Sequence, residues 1–157
     1  MEKRLFMLML LIVSASLFAG CSYMTDFAVA NDSKEPIEVR YKIKNYPGPF
    51  TPPTVPATIA TSQLSTKGNQ PWSQLSSSQY QLDAENRTVI VRVTPGQALR
   101  VATMHHYIGH DDPVDAANFP IEEISVTGSS GQVKLLGEQA RVAFSEISRV
   151  LYKLTYK

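Results

Sequence analysis

The strict alternation of apolar and charged residues from Pro36 to Lys44 is the feature that most limits how this chain can fold. Its apolar residues are Ile37, Val39, Tyr41 and Ile43, and its charged ones are Glu38, Arg40, Lys42 and Lys44. Successive side chains of a strand point to opposite faces, so this period of two predicts a strand with one face on a core and one in water. Such a strand requires a second layer to cover its apolar face.

Other segments show similar patterns, separated by short polar turns. The further predicted strands are Thr25 to Ala30, Arg87 to Thr94, Leu99 to Thr103, Ile121 to Thr127, Gln132 to Leu136 and Val150 to Tyr156, with an edge strand somewhere within Thr54 to Leu64. Seven or eight short strands predict an all-β fold, an antiparallel β-sandwich, and an immunoglobulin-like arrangement is one form of it.

The turns between these segments predict which strands pair. The polar turn Asn31 to Glu35 predicts an antiparallel pair of the first two strands. Pairing Val93 with Leu99, across a loop from Thr94 to Ala98, keeps the apolar residues of the middle two strands on one face. Gly128 to Gly131 predicts a hairpin turn between the strands that flank it.

Two segments do not follow the period of two. Asn45 to Gln81 contains six prolines, which exclude a central strand or a long helix there, and one helical turn is expected near Trp72. The apolar residues Trp72, Leu75 and Tyr80 of this segment, with Leu82 just beyond it, are expected to fix the segment to the sheets, with partial disorder as the alternative. Glu138 to Ser148 fits either a strand with a turn, which we favour, or a short helix.

The N-terminus has the parts of a secretory signal. Lys3 and Arg4 precede an apolar stretch from Leu5 to Phe18. This stretch is shorter than the roughly 20 residues that cross a bilayer as a helix. The small residues Ala19 and Gly20 then lead to Cys21, the only cysteine of the chain. A lone cysteine cannot form an intramolecular disulfide, so its position after a cleavage site requires another explanation.

The stretch Leu17-Phe18-Ala19-Gly20-Cys21 resembles the lipobox of bacterial lipoproteins, with Phe18 where the usual pattern has Leu. The resemblance implies a diacylglyceryl group on the Cys21 sulfur and cleavage before Cys21. It divides the chain into a cleaved signal peptide, residues 1–20, a short lipidated tether, residues 21–24, and a single β-sandwich domain, residues 25–157. In enterobacterial lipoproteins an Asp after the cysteine favours the inner membrane, so Ser22 favours the periplasmic face of the outer membrane of a Gram-negative cell.

The charge of the mature chain argues against a polyanionic partner. The whole sequence has 15 basic and 14 acidic side chains, and loss of Lys3, Arg4 and Glu2 with the signal leaves 13 of each. A neutral domain has no electrostatic basis for binding nucleic acid. The expected partners are therefore the membrane, through the lipid, and another protein of the envelope.

All three histidines lie between His105 and Asp112. Imidazole and carboxylate groups can bind zinc or copper, and His106, His110 and Asp111 are the candidate ligands if the chain turns at Gly109. The other interpretation is a polar loop at a strand end, with Asp111-Asp112-Pro113 forming a turn.

The aromatic residues of the proline-rich segment are a second candidate site. Tyr46, Phe50, Trp72 and Tyr80 can form a surface that binds a partner, since aromatic residues are favoured anchors at interfaces. The other interpretation is that they tie an irregular segment to the domain.

Catalytic patterns are missing from the sequence. Gly128 to Gly131 lacks the G-x-S-x-G pattern of a serine nucleophile, and Glu122 and Glu123 alternate across a strand. There is no glycine-rich phosphate loop, no CxxC and no HExxH. We therefore predict a membrane-anchored, non-catalytic lipoprotein that binds or supports another envelope component, with a periplasmic metal-binding lipoprotein as the alternative.

Overall fold

The computed structural model describes residues 22–44, 57–67, 70–107 and 119–157 of the chain. Within these ranges it has eleven strands and one α-helix, and it is an all-β sandwich. The elements are β1 (Ser22–Asn31), β2 (Ile37–Ile43), β3 (Thr58–Thr61), β4 (Ser73–Gln74), β5 (Tyr80–Asp83), β6 (Thr88–Val93), β7 (Gln97–Tyr107), β8 (Ile121–Gly128), β9 (Gly131–Leu136), α1 (Glu138–Val142), β10 (Ser145–Ser148) and β11 (Leu151–Tyr156). A 3-10 turn (Ser77–Gln79) precedes β5.

The strands form two sheets. The order in the six-stranded sheet is β10-β11-β1-β7-β3-β4, and the order in the five-stranded sheet is β5-β6-β2-β8-β9. Pairing is antiparallel except between β1 and β11, which run parallel. The predicted sandwich is confirmed. It has more strands than the seven or eight expected because β4, β5 and β10 are too short to show as a pattern.

The alternation in β2 has the predicted physical cause. Its four apolar residues are buried and its charged residues are exposed or half-buried. They pack against apolar residues from both sheets, including Val29 and Leu99 of the six-stranded sheet. Phe27 of β1 stands among three other rings, with centroids 5.2 Å from Phe119, 5.3 Å from Tyr152 and 5.7 Å from Phe144. This aromatic cluster packs the segments that precede β8 and β10 against β1 and β11 of the six-stranded sheet.

Two predicted pairings were wrong. β1 and β2 lie in different sheets, and so do β6 and β7. In both cases the segment that connects the two strands crosses from one sheet to the other. The prediction failed because an apolar face shows only that a strand is half-buried, not which sheet the strand joins. Asn31 holds the two crossings together, because its carbonyl accepts the Gly96 N–H (2.9 Å) and its side-chain amide donates to the Val93 carbonyl (2.9 Å).

The hairpin at Gly128 to Gly131 is confirmed. Gly128 pairs with Gly131 across a two-residue turn, and β8 and β9 keep one register throughout. Gly128 also lies against the Tyr156 ring of β11, so closely that a Cβ atom there would stand 2.6 Å from the Tyr156 hydroxyl.

The irregular segments differ from expectation in detail. β3 falls within Thr54 to Leu64 as predicted, but the two-residue β4 covers it, so it is not an edge strand. The helical turn lies at Ser77–Gln79 rather than at Trp72. Glu138 to Ser148 contains both predicted forms, because the helix α1 is followed by the strand β10.

Two further details of the prediction were wrong. The predicted tether is shorter than expected, since Ser22, Tyr23 and Met24 belong to β1. Of the apolar residues expected to fix the proline-rich segment, Leu75 is buried and Tyr80 packs against the core, but Leu82 is largely exposed.

Candidate functional site

The first strand begins at Ser22, the residue after Cys21. Cys21 itself lies outside the described residues. Ser22 pairs with Tyr107 of β7, Tyr23 with His106, and Met24 with His105. The chain next to Cys21 is therefore part of the six-stranded sheet, and β1 lies near the middle of that sheet between β11 and β7.

The candidate metal ligands are only partly described. His105 and His106 occupy consecutive positions at the end of β7. His110 and Asp111, which complete the predicted set, lie outside the described residues. Across the part of the chain that the structure describes, no three His, Cys, Asp or Glu side chains are grouped so that they could hold a metal ion.

The predicted aromatic surface is divided between the two sheets. Tyr46 and Phe50 lie outside the described residues. Tyr80 is in β5 of the five-stranded sheet and packs against the core. Trp72 precedes β4 and is hydrogen-bonded to Asp26 of the six-stranded sheet. The structure thus leaves Trp72 and Tyr80 in separate places, and only Trp72 belongs to a polar cluster.

Trp72, Asp26, Arg100 and Thr103 form this cluster, here called the Trp72 cluster. The Trp72 indole N–H donates to one Asp26 carboxylate oxygen (2.7 Å), and the Thr103 hydroxyl donates to the other (2.6 Å). The Arg100 guanidinium lies 3.5 Å from Asp26 and 5.2 Å from the centre of the Trp72 ring. Charge-assisted hydrogen bonds and a cation–π contact therefore hold the indole in one orientation.

The positions of these residues follow from strand geometry. Asp26 precedes the inward-facing Phe27, so it projects from the opposite, outer face of the six-stranded sheet. Asp26 pairs with Thr103 on β7. A register shift between Phe27 and Ala28 then sets Arg100 opposite Ala28, two residues beyond Asp26, so that Arg100 and Thr103 share a face although they are three residues apart. All four side chains are thus brought to one outer face by the β1–β7 pairing and by the segment before β4.

Chemically, the Trp72 cluster offers a contact surface for a partner. Both Asp26 oxygens already accept hydrogen bonds, whereas the indole is a rigid, half-buried apolar surface beside a cation. Trp72 was predicted from the sequence as a candidate, but its three partners were not. Asp26 and Arg100 are charged residues in otherwise apolar strands, and that was the available signal.

A second charged group lies on the five-stranded sheet. Glu122 accepts a hydrogen bond from Lys42 (2.9 Å) and lies 3.4 Å from Arg87. The Lys42 hydrogen bond, more than any other contact, holds the pKa of the Glu122 carboxyl below its ordinary value. Glu123 instead pairs with Lys134 at 3.0 Å. The predicted alternation of Glu122 and Glu123 is not seen, because a register shift between β2 and β8 at this point leaves both side chains half-exposed. The two carboxylates pair with different lysines, and ion pairs this exposed contribute little to stability.

Comparison of the chain with known protein families, with curated proteins and with solved structures finds no match. In the described ranges, no helix has both the length and the apolar character needed to cross a bilayer. Fold and site thus define the chain as an all-β sandwich with an oriented tryptophan on one sheet face. Its function has to be inferred from its own residues.

Proposed function

We propose that this chain is a bacterial lipoprotein, anchored to a membrane by lipid on Cys21, whose β-sandwich binds another component of the cell envelope without catalysis. The observation that supports the proposal is the lipobox-like stretch from Leu17 to Cys21, which is followed directly by β1 from Ser22. A lipid on Cys21 would leave no flexible linker between membrane and sandwich.

The energetics of such an anchor favour lasting attachment. Each methylene buried in the bilayer contributes about 0.8 kcal/mol, and two or more acyl chains suffice for stable anchoring where one does not. The neutral mature chain adds no electrostatic attraction to anionic headgroups. Position at the membrane would therefore depend on Cys21 alone, and Ser22 is compatible with the outer membrane.

The Trp72 cluster is the surface best suited to the binding role. Asp26 is five residues beyond Cys21, which at about 3.3 Å per strand residue corresponds to about 17 Å. A partner close to the membrane surface lies within reach of the indole and the Arg100 guanidinium. Tryptophan and arginine are the residue types most enriched where interfaces concentrate their binding energy.

The proposal is tested by replacing Cys21. Cells producing the wild-type chain, Cys21→Ser or Ser22→Ala are labelled with radioactive palmitate and then separated into membrane and soluble fractions. We expect the wild type and Ser22→Ala to carry the label and to stay with the membrane. Cys21→Ser should carry no label and should either leave the membrane fraction or keep its signal. Equal labelling and equal fractionation of all three chains would refute the lipid anchor.

A further inference from the structure

Met24 is an exposed apolar residue beside the proposed lipid anchor. It lies three positions after Cys21. Its exposed fraction is 53%, although its strand β1 lies between two others. Thr25, the next residue, is completely buried. Because successive side chains of a strand alternate, Met24 shares the outer face of the six-stranded sheet with Asp26.

An exposed arginine lies at the same level of the sheet. The Thr25 hydroxyl donates to the Arg149 carbonyl (2.9 Å), and the Asp26 N–H donates to the Val150 carbonyl (2.9 Å). These bonds hold the turn before β11 against the start of β1, beside Met24. The Arg149 side chain is exposed and forms no ion pair with any residue that the structure describes.

The acidic groups nearest to this arginine are already engaged. Asp26, the only acidic residue of β1, lies 3.5 Å from Arg100. Glu146 of β10 accepts a hydrogen bond from the Tyr152 hydroxyl (3.2 Å). The guanidinium of Arg149 is thus available for an external anion, and guanidinium groups suit phosphate because they can donate two parallel hydrogen bonds to it.

The distance from Cys21 decides what Met24 can contact. Three strand residues span about 10 Å. The headgroup layer of one leaflet is roughly 5–8 Å thick, since about 10–15 Å of a bilayer lies outside its hydrocarbon core. A lipid on Cys21 therefore leaves at most about 5 Å between Met24 and the headgroups. A packed sheet of another protein needs about 10 Å, so lipid is the partner that fits.

We propose that the outer face of the six-stranded sheet rests on phospholipid at its Cys21 end, with Met24 in the headgroup layer and the Arg149 guanidinium bound to a lipid phosphate. The inference rests on the lipid anchor proposed above and adds an orientation to it. The sandwich tilts toward the face that carries Met24, whereas attachment itself still depends on the acyl chains.

The test uses the mature lipidated protein in phosphatidylcholine vesicles. Cys21 is the only cysteine of the chain, so once its sulfur carries lipid a second cysteine is the only free thiol. Met24→Cys is labelled there with a nitroxide. Collisions of the nitroxide with oxygen, which concentrates in lipid, are compared with its collisions with a water-soluble nickel complex.

The matched control is Val133→Cys, which replaces another exposed apolar strand residue (46%). Val133 is two residues from Gly131, whose carbonyl accepts a hydrogen bond from Tyr156, and Tyr156 pairs with Asn31 at the far end of β1. We expect the oxygen-to-nickel collision ratio to be several-fold higher at position 24 than at position 133. Equal ratios, or shielding from both reagents at position 24 as when protein covers it, would overturn the inference.

A charge reversal tests the role of Arg149. In the labelled Met24→Cys chain, Arg149→Glu places a carboxylate against the lipid phosphates, so the collision ratio at position 24 should fall toward that of position 133. Lys34→Glu reverses an exposed lysine in the turn at the far end of β1 and should leave the ratio unchanged. The same ratio in both variants would refute the contact of Arg149 with phosphate.

Failure of this inference is distinguishable from failure of the anchor. Protein without lipid, as shown by mass spectrometry of its N-terminal peptide, refutes both. Lipidated protein whose position 24 collides with nickel as freely as position 133 refutes the phospholipid contact alone and leaves the anchor on Cys21 standing.

Discussion

Asn31 shows how much of this fold depends on single polar groups. Its side chain is buried, and its amide donates to the carbonyls of Glu35 (2.8 Å) and Val93 (2.9 Å). Its carboxamide oxygen accepts from the Ser33 hydroxyl and N–H. One residue thus fixes the turn after β1 and the end of β6, which belong to different sheets.

Replacing Asn31 should therefore be costly. Asn31→Ala leaves the buried Val93 carbonyl without its donor, and an unsatisfied buried group costs about 1–3 kcal/mol. We expect the free energy of unfolding, measured by urea titration, to fall by that amount. Ser33→Ala, which changes a half-exposed member of the same turn, should cost less than about 1 kcal/mol. An Asn31→Ala chain as stable as the wild type would show that this bridge is dispensable.

At the scale of single residues, the sequence predicted the kind of environment in which a side chain lies, such as a polar turn. It predicted less well which other residues that side chain contacts. It identified Asn31 as part of a polar turn, because asparagine favours such turns. It could not reveal that Val93, 62 positions away, lies within reach of the Asn31 amide. For the same reason Trp72 was selected as a candidate, but Asp26, Arg100 and Thr103 were not. Contacts of this kind depend on which strands pair.

The positions of the strands were largely predictable from the sequence, but which strands pair with each other was not. β2 and β6 appear where alternation places them, because the period of two directly reflects burial of one face. The β8–β9 hairpin was also predictable, since Gly128 and Gly131 flank its turn. The assignments of β1 with β2 and of β6 with β7 failed because the connecting chain changes sheet, and no local pattern records that change.

The β8–β9 turn depends on the absence of a side chain at Gly128. A Cβ atom there would lie 2.6–2.8 Å from the Tyr156 hydroxyl and ring. The Tyr156 hydroxyl also bonds with the Ser130 hydroxyl (2.6 Å) and donates to the Gly131 carbonyl (3.2 Å). Gly128→Ala must therefore displace a ring that connects β11 to this turn.

We expect Gly128→Ala to lower the free energy of unfolding by about 1–3 kcal/mol, the usual cost of overpacking. A double-mutant cycle identifies the cause, since residues in contact are not additive. In a Tyr156→Leu background, which lacks the ring, Gly128→Ala should cost clearly less. If the alanine costs the same in both backgrounds, as measured by urea unfolding, contact with Tyr156 is not the reason.

At the scale of the whole molecule, the proposed anchor sets the distance of the sandwich from the bilayer. Trp72 is the only tryptophan of the chain and is bonded to Asp26, close in sequence to Cys21. Its fluorescence therefore reports the separation of the six-stranded sheet from labelled lipid. Energy transfer to a dansyl headgroup in vesicles should be efficient for the anchored protein.

Inserting ten glycine and serine residues between Cys21 and Ser22 should weaken that transfer. Such a linker has an average span of about 16–19 Å, and transfer declines steeply with distance. The control carries the same ten residues after Lys157, where they leave the anchored end unchanged. Equal transfer in the two insertion variants would contradict a sandwich held against the membrane by the start of β1.

The start of β1 at Ser22 also has a consequence for the order of biosynthetic events. A peptidase that cuts between Gly20 and Cys21 needs the chain around that bond unpaired, but Ser22 in the finished sandwich is paired with Tyr107. β1 lies between β11 and β7, so the six-stranded sheet cannot be completed until that end of β1 is released. In the proposed lipoprotein, signal removal would therefore precede the pairing of Ser22 with Tyr107.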